Sequence, residues 1–167
     1  RLLLTRAVAL AGMERKSDAL SALDQAAELV SADDALLACE RARARAIVSA
    51  FFGEWTACAQ ASEEATKTGR LANLTKEVAA NLHNQDEALI RVDELAHGYA
   101  ALHASLALAE ESGLDRIANF DRIYLAYLDA LDELPGADEL LQSRTQLARA
   151  RNWTFDHLTG RYLYAKV

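Results

Sequence analysis

The residues of this chain best suited to chemistry are cations and amides rather than nucleophiles. Arg41 and Arg45 stand four positions apart. On a helix that spacing puts both guanidinium groups on one face, where their forked N–H donors can grip a carboxylate. His83, Asn84, Arg91, Asn119 and Arg122 supply further donors along the chain. These seven residues are expected to line a groove that holds an acidic or peptide partner. Arg43 points roughly opposite to Arg45 on the same helix and is expected at plain surface.

Catalytic arrangements are missing from the pattern. The sequence has no glycine-rich phosphate loop, no GxSxG, no HExxH and no CxxC. Glu94 and His97 form an ExxH step, half of what a di-iron carboxylate site in a helical bundle needs. His83, His103 and His157 have no acidic residue three positions earlier, so no second step exists and no metal or cofactor is expected. Asp86 with Glu87, and Asp132 with Glu133, are adjacent pairs whose side chains diverge on a helix, and both are expected in solvent. The chain is not expected to be an enzyme.

The elements that would position these groups are helices. Of 167 residues, 51% are hydrophobic and 26% charged, with one proline and seven glycines, so hairpin punctuation is scarce. Apolar positions recur at steps of three and four, as in Ile117, Phe120, Tyr124, Tyr127, Leu128 and Leu131. The spacing predicts helices over 1–13, 17–31, 33–52, 54–68, 71–92, 95–111, 115–133, 137–151 and 154–167. Gly53, Gly69, Gly113 and Asn152 are expected as left-handed stops, Ser17 as an N-cap, and Ser31 with Asp34 as a capping box.

A phrase recurs within this pattern: a helix end, a short polar break, a small residue one turn into the next helix, then an apolar tail. Its small residues are Ala19, Cys58, Gly98 and Ala137, separated by 39, 40 and 39 positions. Small side chains at a regular mark allow two helices to cross closely. The fold class predicted is all-α: a right-handed α-solenoid of antiparallel helix pairs with a repeat of about 39–40 residues. It forms one helical-repeat domain over 1–167, with units at roughly 1–32, 33–70, 71–113, 114–152 and a partial unit at 153–167. The chain starts at Arg1 without an initiator methionine and stops inside an apolar phase, so a piece of a longer array is expected, with self-association through exposed repeat ends.

The small mark, the apolar tail, the polar exit and Trp55 three residues before Cys58 together resemble the tetratricopeptide repeat. That family's usual unit is about 34 residues. The longer spacing here is similar to the tetratricopeptide-like regions that follow the ATPase or kinase module of large bacterial signalling regulators, such as maltose-type and LuxR-type activators. The stretch from Asn81 to Gly113 matches best. The resemblance implies a superhelix whose first helices line a concave groove for a peptide, a partner helix or a small effector. A bacterial regulatory scaffold is therefore the expected function, with a peptide-pheromone receptor or an oligomerisation spacer as alternatives.

Charge and cysteine usage bear on partners. A net charge of -7 argues against nucleic acid or anionic membrane as a partner. No apolar run reaches the ~18 residues of a membrane span. Cys39 and Cys58 are expected as reduced core thiols, which with the missing span points to the cytoplasm. The aromatics Trp55, Tyr99, Tyr124, Tyr127, Trp153 and Phe155 are expected in packing rather than in a ligand cage.

Overall fold

A computed structural model describes residues 1–29 and 34–167. The described residues contain nine helices and no strand: α1 (Leu2–Gly12), α2 (Lys16–Leu29), α3 (Ala35–Phe51), α4 (Trp55–Leu71), α5 (Thr75–Arg91), α6 (Leu95–Glu111), α7 (Asp115–Leu131), α8 (Ala137–Ala150) and α9 (Thr154–Tyr164). None of the described helices is long and apolar enough to cross a membrane. The chain divides into two compact units, Arg1–Ala104 and Ser105–Val167, with the boundary inside α6.

One device ends almost every helix. Apart from Gly136, which precedes α8, the left-handed residues end helices: they are Glu14, Gly53, Asn73, Asp93, Gly113, Glu133 and Asn152, and from Gly53 onward they are separated by 20, 20, 20, 20 and 19 positions. After each, the next amide folds back onto a carbonyl five residues earlier: Glu54 N–H to Ser49 O at 2.9 Å, Leu74 to Gly69 at 2.9 Å, Leu114 to Ala109 at 2.8 Å and Leu134 to Asp129 at 2.9 Å. That bond closes orphaned carbonyls at the helix end. The chain then enters the next helix at once, as when Cys58 N–H bonds to Glu54 O and Gly98 N–H to Glu94 O, both at 2.9 Å.

Gly53, Gly113 and Asn152 adopt the left-handed conformation expected of them, at φ 70, 66 and 58°. Gly69 does not end a helix. It lies inside α4, where an added Cβ would meet Val78 Cγ2 at 3.0 Å and Cys39 Sγ at 3.4 Å, so it serves a close helix approach while Asn73 makes the turn. Ser17 lies one residue inside α2 rather than ahead of it. Ser31 falls outside the described residues, and Asp34 alone caps α3, its Oδ1 accepting the Leu37 amide at 2.9 Å.

Left-handed backbone costs an L-residue about 1 kcal/mol or more, a cost glycine escapes. Glu133 sits at φ 55° and is exposed, so its side chain offers nothing in return. Glu133→Gly is expected to stabilise the protein by about 0.5–1 kcal/mol, part of the gain being lost to unfolded-chain entropy. Thermal unfolding should show a midpoint raised by roughly 2–4 °C; a lowered midpoint would contradict the turn geometry.

In the first unit each helix packs on its neighbour in sequence from α1 to α5. The odd helices also pack on one another, α1 on α3 and α3 on α5. Among the described residues, α2 and α4 make no such contact. Alanine dominates the core between them: Ala7, Ala11, Ala19, Ala22 and Ala26 meet Leu4, Leu10, Leu23 and Val48. Ala46, Cys58, Ala59, Ala61 and Ala88 form a second cluster, with Trp55 packed against it. Three of the predicted small marks are buried at helix crossings in this unit, and Gly98 lies directly against the α5 backbone.

In the second unit α7, α8 and α9 pack in sequence and α7 also meets α9. Ile123, Ala126, Leu141, Ala148 and Leu163 form its core, with Phe120, Tyr124, Tyr127 and Trp153 packed around it as expected. Phe155 lies 5.8 Å from the Phe120 ring yet is 64% exposed, and Leu158 and Tyr162 share that exposure on α9.

Candidate functional site

Of the seven expected groove residues, Arg41, Arg45, His83, Asn84 and Arg91 lie in the first unit and Asn119 and Arg122 in the second. Within the first unit Arg41 and Arg45 both reach Glu64 on α4, each at 3.7 Å, so their shared face looks toward the second helix of the pair. Arg91 bonds Glu87 at 3.0 Å and stacks over the Trp55 ring of α4 at 4.4 Å. His83 is buried with its Nδ1 3.5 Å from Asp86 Oδ2. Asp86 is itself fully buried, contrary to the solvent position expected of it, because it falls on the inward face of α5. Glu87 remains half-buried beside Arg91, and Asp132 and Glu133 are exposed as expected.

In the second unit Asn119 is 1% exposed and its Nδ2 donates to Arg144 O at 3.3 Å. Arg122 pairs with Glu110 of α6. Asn81, in the first unit, is also buried, and its Nδ2 donates to Cys39 Sγ at 3.7 Å. These asparagines hold helices together. Glu94 and His97 pair at 3.1 Å on the surface.

Both cysteines are free and buried. Burial pushes the Cys58 thiol up to about 11, and it raises Cys39 as well, against the opposing hydrogen bond from Asn81. Thiols so shifted carry little thiolate near neutral pH and are structural rather than reactive.

The face that gathers polar groups is the opposite side of α3. A cleft of about 240 Å³ opens between α1 and α3, lined by Arg1, Leu4, Thr5, Val8, Glu40, Arg43, Ala44 and Ile47. Its floor is apolar: Leu4 and Ala44 are buried, and Val8 and Ile47 half-buried. At its mouth Arg1 Nε lies 3.0 Å from Glu40 Oε2. Arg43 is half-buried rather than at plain surface, and its Nε is out of solvent with no hydrogen-bond partner among the described residues.

Helix register extends this face. α3 starts at Ala35 and α5 at Thr75, so Glu40, Arg43, Ala44 and Ile47 correspond to Ala80, His83, Asn84 and Glu87. Two of the expected residues, His83 and Asn84, thus share the register of the cleft, while Arg41, Arg45 and Arg91 do not. The signal that would have found Arg43 is that 40-residue step to His83.

Comparison with family models, with curated proteins and with solved structures returned no match.

Proposed function

We propose that this chain is a binding scaffold, a right-handed solenoid of antiparallel helix pairs whose first helices present a groove to a protein partner or small effector. The observation that carries this is the row α1–α3–α5: odd helices touch odd helices while, among the described residues, α2 and α4 do not touch. Such a row curls with its odd helices inside, and stacked helix pairs leave that inner surface for ligands. The cleft and its polar register positions belong to these odd helices, which supports the reading. The resemblance to tetratricopeptide-like regions of bacterial regulators supports a sensory or interaction role within a larger cytoplasmic protein, at the level of fold analogy. No catalytic role is proposed.

The test is partner capture from lysate by the immobilised chain. Asn84→Arg puts a bulky cation on the face of α5 in register with the cleft, and Lys67→Glu changes a charge at an exposed position of α4. Partners held by the native chain and by Lys67→Glu but lost by Asn84→Arg are the expected outcome. Identical capture by all three would move binding off the inner face.

A second reading, an oligomerisation spacer, draws on α9, where Phe155, Leu158 and Tyr162 are 64, 57 and 59% exposed. A contiguous apolar stripe of that kind favours association. It predicts a concentration-dependent mass in solution.

A further inference from the structure

We propose that the α1–α3 cleft is a binding site for a small organic carboxylate with a short hydrocarbon body. This deepens the inner-face reading and rests on it. The anionic half is called for by Arg43. Its Nε is withdrawn from water and has no hydrogen-bond partner among the described residues. A buried N–H without an acceptor is costly, and a carboxylate presents two oxygens to the guanidinium fork. The nearby carboxylate, Glu40 one turn earlier, is engaged by Arg1 at 3.0 Å.

Charge at the site favours a monoanion. The side chains of Arg1 and Arg43 contribute two positive charges and that of Glu40 one negative, a side-chain balance of +1 in a chain of net charge -7. A guanidinium with its Nε unpartnered among the described residues, beside the Glu40 carboxylate, suits a single negative charge better than a phosphate dianion, which would meet Glu40 without enough donors.

The floor and the volume fix the rest of the ligand. Leu4, Val8, Ala44 and Ile47 offer no hydrogen bond from their side chains, so what sits over them must be hydrocarbon. A volume of about 240 Å³ is below the range of roughly 300 Å³ upward that holds drug-sized ligands, and at ~30 Å³ per water it accommodates roughly eight heavy atoms. A branched acid of five or six carbons fills that space with its carboxylate at Arg43. The Thr5 hydroxyl lines the same cleft and can donate to the second oxygen.

The probe is 4-methylpentanoate, titrated to millimolar concentration into isotopically labelled protein and followed by NMR. Expected are saturable shifts of the Leu4, Val8 and Ile47 methyl signals. Arg43→Gln should weaken binding at least about tenfold, as loss of a charge-assisted hydrogen bond implies. Arg43→Lys should retain part of it, and Arg45→Gln, altering the arginine held by Glu64, should leave it unchanged. The neutral 4-methylpentanamide should bind at least about tenfold more weakly.

Equal binding of acid and amide, or equal binding to Arg43→Gln, would overturn the role of the charge. Acetate matching the longer acid would overturn the hydrocarbon body. Binding of acetyl-alanyl-leucine with no binding of the free acid would replace the small ligand by a peptide terminus. An unresponsive cleft would overturn the proposal while leaving partner capture, tested at Asn84, untouched.

Discussion

Gly98→Val should destabilise the first unit by about 3 kcal/mol, at the upper end of what overpacking costs. Gly98 lies in α6 four residues after Glu94, and a Cβ built there would sit 2.6 Å from Ile90 Cγ1 and 3.2 Å from both Asp86 O and Ile90 N. Two of those three atoms are backbone and cannot swing away. The third belongs to a β-branched side chain with little freedom at its first torsion. Alanine carries only the Cβ, and in an exposed helix it would gain about 1 kcal/mol over glycine. Here the clash outweighs that gain, so Gly98→Ala is expected to be destabilising by about 1 kcal/mol and valine, with two more methyls, by about three times as much. Urea unfolding decides it: the midpoint should fall in the order native, alanine, valine with an unchanged slope. Ile90→Ala should recover part of the Gly98→Ala loss. A Gly98→Ala variant more stable than the native chain would mean that the two helices are not this close.

The regular mark at Ala19, Cys58, Gly98 and Ala137 made that crossing legible from the sequence, because packing restricts residue type strongly where backbones nearly touch. The helices were legible for a similar reason: apolar side chains must return to one face every three or four residues. The turns were only half legible. Gly53, Gly113 and Asn152 announce left-handed backbone, but Glu14 and Glu133 occupy the same conformation with a type that does not advertise it. The 20-residue step between turns is therefore hidden behind the 40-residue step between pairs. Gly69 misled in the opposite sense, since a glycine selected for close packing looks the same in sequence as one selected for φ.

The candidate site was the least legible part. Arg41, Arg43 and Arg45 have one chemistry, and helical geometry correctly sets Arg43 against Arg45, yet nothing local says which side faces the neighbouring first helix. Glu64 on α4 settles that for Arg41 and Arg45, and α1 settles it for Arg43. Both are contacts at a distance of many residues. Asp86 was misplaced for the same reason, because the adjacent acidic pair carries no mark of which member turns inward.

The second large effect is expected at Gly160. It is buried on α9, where an added Cβ would lie 2.2 Å from Thr145 Oγ1 and 3.0 Å from Thr145 Cβ and Cγ2 on α8. Thr145 cannot readily turn away, since its hydroxyl donates to Leu141 O at 2.8 Å and the side chain is 6% exposed. Helix α9 has few other anchors. Leu163 enters the core beside Leu141 and Ile123, and Arg116 of α7 holds the buried Asp156, with Nη2 2.8 Å from Oδ1. That hydrogen bond raises the Arg116 pKa more than its partial burial lowers it. The outward face with Phe155, Leu158 and Tyr162 is bare, so α9 is held from one side and belongs to the least stable part of its unit. Gly160→Ala is expected to cost about 2 kcal/mol, and Gly160→Val to detach α9 outright. Thr145→Ala removes the hydroxyl and methyl in the way, so in the double variant with Gly160→Ala most of the loss should return, a coupling of about 1–2 kcal/mol. Trp153 fluorescence and tryptic cleavage at Arg161 report the docking directly. Additive losses in the double variant would show that Gly160 and Thr145 do not meet, and that other contacts, such as the Arg116–Asp156 pair and Leu163, hold α9.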